Sequence, residues 1–137
     1  MESIENFIAQ KNAYGIVQHV RKGNKIHSWE MEDIISFFPL DEVKKILLEL
    51  AKCDTTAFAR ESECHALFML SEDIASEIFL KSAQQGGCID YYYCEKICQK
   101  FSAEHARAIM LELNRHRNFF NICSENVKKV APELVSL

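Results

Sequence analysis

The chain has 137 residues, 48% of them hydrophobic and 26% charged, with four glycines and two prolines; this suits one folded domain and disfavours a turn-rich β-sandwich or a long disordered tail. A formal charge of −4 argues against nucleic-acid binding through a broad basic face. No segment approaches the roughly 18 uninterrupted apolar residues of a membrane-spanning helix, and the opening MESIENFIAQKNAYG lacks the basic-then-apolar pattern of an export signal. The expectation is a cytoplasmic protein, with no membrane or nucleic-acid partner, whose cysteines stay reduced.

Residues 1–24 read as one N-terminal amphipathic helix with Ile4, Phe7, Ile8, Ile16, Val17 and Val20 inward, ended by RKGN at 21–24. Ser28 is placed to cap the next helix. Beyond it, three stretches align: FPLDEVKKILLEL from Phe38, LSEDIASEIFLKS from Leu70 and FSAEHARAIMLEL from Phe101. The starts lie 70 − 38 = 32 and 101 − 70 = 31 residues apart. In each, a short break and acids precede a stripe with three- and four-residue spacing, the mark of an amphipathic helix.

The matched stripe positions are Val43, Ala75 and Ala106, then Ile46, Ile78 and Ile109, then Leu47, Phe79 and Met110. Upstream, Ile34, Ala66 and Ile97 fall in register, as do Ile35, Leu67 and Cys98. Each unit reads as helix, tight turn, helix, giving hairpins over 28–53, 58–85 and 89–116. Pro39 disfavours helical geometry at Phe38, while Ser71 and Ser102 are placed as caps with Asp41, Asp73 and Glu104 near the positive helix ends. A fainter copy, CSENVKKVAPEL from Cys123, makes 119–137 a capping segment. The fold expected is a single all-α domain over 1–137, a compact bundle or a short α-solenoid of helix-hairpin units with about 32-residue periodicity.

Three of the six cysteines fall in CIDYYYCEKICQKF, residues 88–101. Cys98 occupies the position of Ile35 and Leu67, so it reads as a small apolar core residue. Cys94 and Cys98 are four apart and share a helix face, which is compatible with a metal. Structural zinc sites, however, use Cys-x-x-Cys knuckles, and the chain has none. No metal or other cofactor is therefore expected.

Glu61 with His65, and Glu112 with His116, are spaced four apart and read as surface pairs; helical di-metal sites use Glu-x-x-His instead. Combinations of Cys64, Cys88 or Cys123 with His65, His105 or His116 carry no local signature of a cysteine hydrolase. Arg21 and His27 have a spacing found in some small helical ribonucleases, but Gly23 and Asn24 between them look like a helix end and turn. Basic residues gather at Arg21, Lys22 and Lys25, and again at Arg115, His116 and Arg117; folding could join the two groups. Asp90 is placed to cap a helix on which Tyr91, Tyr92 and Tyr93 point in three directions, leaving at least one exposed. Trp29 and Phe119-Phe120 offer similar contact area, with core burial their default.

These features lead to a non-catalytic protein–protein interaction module: an adaptor, escort or inhibitor, of the kind that pathogens and phages use as effectors. Its partner-binding residues are expected among Tyr91, Tyr92, Tyr93, Arg115 and Arg117. The alternative is a small cysteine- or metal-dependent enzyme using Cys88, Cys94 and His105.

Overall fold

The computed structural model of the chain describes residues 3–116 and 125–134, and every element among them is helical. In chain order these are α1 (Ile4–Ala9), α2 (Ala13–Arg21), α3 (Ser28–Phe37), α4 (Leu40–Cys53), α5 (Glu61–Leu67), α6 (Glu72–Gln84), α7 (Tyr91–Lys100), α8 (Ala103–Arg115) and α9 (Glu125–Val130), with a closing 3-10 turn at Pro132–Leu134.

The hairpins expected over 28–53, 58–85 and 89–116 each hold one helix pair. All twelve residues matched at Ile34, Val43, Ile46 and Leu47 and their counterparts in the next two units are buried. Val127 and Val130 of the fainter copy are buried too. Each large side chain so removed from water contributes about 1.5–3 kcal/mol, so this shared stripe is a substantial part of the core beside Phe58, Met31, Leu50 and Leu67, which are fully buried as well.

The N-terminal segment departs from expectation: it is two helices. Gln10, Lys11 and Asn12 carry no apolar side chain for a core, and Lys11 takes a left-handed conformation (φ 53°). Asn12 then starts α2 by accepting from the Gly15 amide at 3.0 Å. Gly15 lies against the Phe7 ring so closely that an added Cβ would stand 2.5 Å from a ring carbon.

Capping also differs from the sequence reading in two places. Ser28 is the first residue of α3, and Glu30 closes that end by accepting from the His27 amide at 2.8 Å. Ser71 makes no capping hydrogen bond. Ser102 and Asp90 do cap, accepting from the His105 and Tyr93 amides.

Packing joins helices that are two apart in the chain. α2 lies on α4, α4 on α6 and α6 on α8; α1 lies on α3, α3 on α5, α5 on α7 and α7 on α9. Three polar ties link the second helices, and two of them join like ends. Arg21 pairs with Glu49 at 2.8 Å near two C-terminal ends, Lys44 with Glu77 at 2.8 Å, and Glu72 with His105 at 2.7 Å near two N-terminal ends.

The two edges of this compact domain are built differently. Within the pairs the turns are short, 10–12, 38–39, 68–71 and 101–102. Between pairs the connections are longer, 22–27, 54–60 and 85–90, and the last two are stitched together: the Cys88 amide donates to the Thr55 carbonyl at 3.1 Å and the Asp90 amide to that of Phe58 at 3.0 Å. Phe58, Phe68, Phe79, Tyr93 and Phe101 form the aromatic centre of the core, with ring centroids 5.2–6.3 Å apart.

Candidate functional site

The first helices of the three hairpins keep one register on their outer side. Trp29, Glu61 and Tyr92 correspond, as do Asp33, His65 and Lys96, and then Phe37, Met69 and Lys100. On α3 and α7 the three positions are four residues apart and so form a stripe, while Met69 follows Glu61 and His65 in the turn just past α5. Four of the nine are large apolar residues left open to water: Trp29 (59% exposed), Phe37 (56%), Tyr92 (52%) and Met69 (49%). The His27 ring stacks on Trp29, centroids 4.4 Å apart and nearly parallel. At the other end, Lys96 Nζ stands 5.2 Å from the Tyr92 ring centre, a cation–π contact.

Two open grooves flank α3. The first, about 460 Å³, runs between α1 and α3; Ile8, Trp29 and Phe37 supply its apolar surface, and Glu5, Glu30 and Asp33 its carboxylates against one ammonium, Lys11. The second, about 530 Å³, lies between α3, α5 and α7, lined by Glu32, Glu61, Ser62, His65 and Tyr93. There His65 Nδ1 is 3.1 Å from the Tyr93 hydroxyl, so the ring turns to tyrosine rather than to Glu61. Burial, foremost, raises the Tyr93 phenol above its ordinary range, keeping it neutral. The face is thus acidic around α1, α3 and the start of α5, and basic at Lys96 and Lys100 on α7.

The expected contact residues are placed unequally. Tyr91 and Tyr92 are exposed, whereas Tyr93 is 2% exposed. Its ring packs on Phe68, so it joins the core and drops out of the exposed set. Arg115 is largely exposed and stands 3.6 Å from Glu112; Arg117 lies outside the described residues. Arg21 and Arg115, from the two basic groups, do not meet. Arg21 and Arg115 end α2 and α8, with α4 and α6 between, which at 8–10 Å per helix is roughly 25–30 Å.

Cys88, Cys94 and His105 are not drawn into one centre. Cys94 is buried and donates to the Ile89 carbonyl at 3.7 Å, while His105 faces Glu72 and Asp73 between α6 and α8. Cys64 donates to the Phe58 carbonyl at 3.0 Å. Desolvation pushes the Cys64 and Cys98 thiols up to about 12 and raises Cys94 as well, which suppresses the thiolate that nucleophilic or metal chemistry needs. Among the described residues no group of three or more His, Cys, Asp and Glu side chains could hold a metal ion. No described helix is long and apolar enough to cross a membrane.

Sequence reasoning passed over Phe37 and the α1–α3 groove. A signal for the first was present: Phe37 and Phe38 are adjacent before Pro39, so on a helix end only one can face the core. Continuing the register outward from the buried positions would have paired Trp29 with Tyr92. The groove had no such signal, because it depends on where α1 rests after the break at Lys11. No protein-family model, curated protein or solved structure matches the chain.

Proposed function

We propose that this protein acts by binding another protein, as an adaptor, escort or inhibitor without chemistry of its own, and that the outer face of α1, α3, α5 and α7 is its contact surface. One observation carries the reading: large apolar side chains recur at matched register positions on a single face, beside open grooves, where each keeps about half of its surface open to water. Clustered exposed apolar surface marks contact sites, and aromatic anchors dominate contact energies.

The reading also treats the hairpins as a short stack of repeats, a form that presents an extended binding face. The common register and the row of like-directed second helices support this, and repeats of about 33 residues with two helices are a known unit of such stacks. Tyr92, with Tyr91 beside it, forms the α7 end of the face. Arg115 lies at the same end of the antiparallel α7–α8 hairpin as Tyr91. A reducing, cytoplasmic setting fits the free thiols at Cys53, Cys64, Cys88, Cys94 and Cys98.

The test is affinity capture from a cytosolic lysate of the source or host, with Trp29→Ala, Phe37→Ala and Tyr92→Ala proteins in parallel. A stoichiometric partner, weakened by about 2 kcal/mol or more on losing an anchoring aromatic with helicity intact, is the expected result. A partner held equally well by all three variants, or no partner at all, would count against the reading.

A further inference from the structure

Resting on that reading, we infer that the α1–α3 groove takes a cationic segment of the partner protein, in which one arginine or lysine stands between two apolar side chains. Trp29 and Phe37 are eight residues apart on α3, hence about 12 Å apart along its axis, with Asp33 midway. The groove therefore offers two aromatic surfaces bracketing a carboxylate.

Glu5, on α1, lines the same groove, and neither Glu5 nor Asp33 has a hydrogen-bond or ion-pair partner among the described residues. Glu30 on the floor is committed to the His27 amide. Three carboxylates against Lys11 leave the groove net negative, which repels phosphate backbones and anionic lipid headgroups and attracts a cation. Arginine suits both kinds of surface, because its planar guanidinium meets a carboxylate through paired donors and also lies flat on aromatic faces. The stacked His27 widens the platform at the Trp29 end.

The spacing restricts the ligand further. An extended segment advances about 3.3 Å per residue and turns every second side chain to one side. Apolar residues at i and i+4 with a basic residue at i+2 then span the distance from Trp29 to Phe37. A longer partner reaches past Phe37 or Trp29 without altering this core pattern.

Trp29 is the only tryptophan in the chain, so its emission reports directly on the groove. The probes are twelve-residue synthetic peptides with a central Leu-Ser-Arg-Ser-Leu, and counterparts with Glu in place of Arg, titrated into the full-length protein. The expected result is a saturable blue shift with the Arg peptide and none with the Glu peptide. Asp33→Asn and Glu5→Gln, each checked for unchanged helicity, weaken binding about tenfold, and added salt does the same.

Equal binding of both peptides, or binding indifferent to loss of the two carboxylates, overturns the inference. So does a shift driven by protein concentration alone, which would make a second copy of this chain the occupant. A captured partner that is lost with Trp29→Ala yet indifferent to Asp33→Asn also overturns it, while leaving the binding-module reading in place.

Discussion

His105 Nδ1 stands 2.7 Å from Oε2 of Glu72, and the same oxygen accepts from the Ser102 amide at 2.8 Å. One carboxylate at the start of α6 thus fastens the start of α8. The Ser102 amide first, and His105 next, hold the Glu72 carboxyl below its ordinary range. A group whose folded pKa is depressed stabilises fully above its unfolded value, near 4.3, and that contribution is lost as the pH falls through the lower folded value. Replacing Glu72 by Gln is expected to cost about 1 kcal/mol or less at neutral pH, since the site is part-exposed and screened. Thermal melts of both proteins from pH 7 to pH 3 check this: the difference shrinks below about pH 4. A constant gap across the series would show that the charge contributes nothing.

Ser82 is fully buried and its hydroxyl has no hydrogen-bond partner among the described residues. Removing it with Ser82→Ala is expected to raise stability by about 1 kcal/mol. Gly87, whose amide donates to the Ser82 carbonyl at 2.8 Å, behaves oppositely. An added Cβ would meet the Ser82 hydroxyl at 2.4 Å and its carbonyl oxygen at 2.8 Å, so Gly87→Ala is expected to cost about 1–3 kcal/mol. The double variant tests the geometry in urea melts: it remains destabilised, because the backbone oxygen is still in the way.

Quenching of Trp29 gives a direct view of its surroundings. Relative to free tryptophan, an exposed indole beside Glu30 and Asp33 is expected to be quenched more by caesium and less by iodide at matched ionic strength, because the local field concentrates cations. Asp33→Asn narrows the difference. Quenching by the two ions in the same ratio as for free tryptophan would mean that the groove carries no effective negative potential.

Thiol titration divides the cysteines. Cys53 is exposed, whereas Cys64, Cys94 and Cys98 are buried. In native protein at pH 8, Cys53 is expected to react with a disulfide reagent first, slowed because partial desolvation and then neighbouring Glu49 raise its thiol. The three buried thiols react only when denaturant opens the core. Mass spectrometry of the labelled sites checks the order; early labelling of Cys94 would contradict the packing of α7.

Gly15→Ala pits two effects against each other. Alanine favours a helix interior by about 1 kcal/mol and this first turn of α2 by less, whereas its methyl group would overlap the Phe7 ring, and overpacking costs about 1–3 kcal/mol. A net loss of about 1 kcal/mol in thermal or urea melts is expected, together with altered Trp29 emission because α1 forms one wall of the groove. Unchanged emission would show that α1 keeps its place without this contact.

Much of the fold was legible because apolar spacing reports a helix's own inward face. Ile46, Ile78 and Ile109 are buried where that spacing puts them, and Cys98 lies among core residues where Ile35 and Leu67 predicted it. Most of what escaped depends on relations between elements. Tyr93 turns inward, where Phe68 and His65 of the preceding hairpin receive it; its place four residues before the core residue Ile97 was a signal for this that the reading of three consecutive tyrosines as contact residues passed over. The basic groups at Arg21 and Arg115 could be joined on paper; two intervening helices hold them apart. The split at Lys11 escaped because Ile4, Ile8, Ile16 and Val20 keep an almost helical rhythm across a break made by backbone conformation.

The unequal edges of the domain determine where its length can change. At Phe38-Pro39 and Phe101-Ser102 there is no slack, and one extra residue would rotate a whole helix and carry its stripe out of the core. At 54–60 and 85–90 an insertion would cut the hydrogen bonds that hold one connection to the next. The segment 22–25 is different: all four residues are exposed, Gly23 adopts φ 87°, and a side chain added there would touch nothing within 4 Å. A fluorophore or peptide tag spliced between Asn24 and Lys25, past the Gly23 and Asn24 amides that donate to the Val20 and His19 carbonyls and close α2, should leave the rest of the molecule undisturbed, which makes this bend the natural handle for a labelled protein.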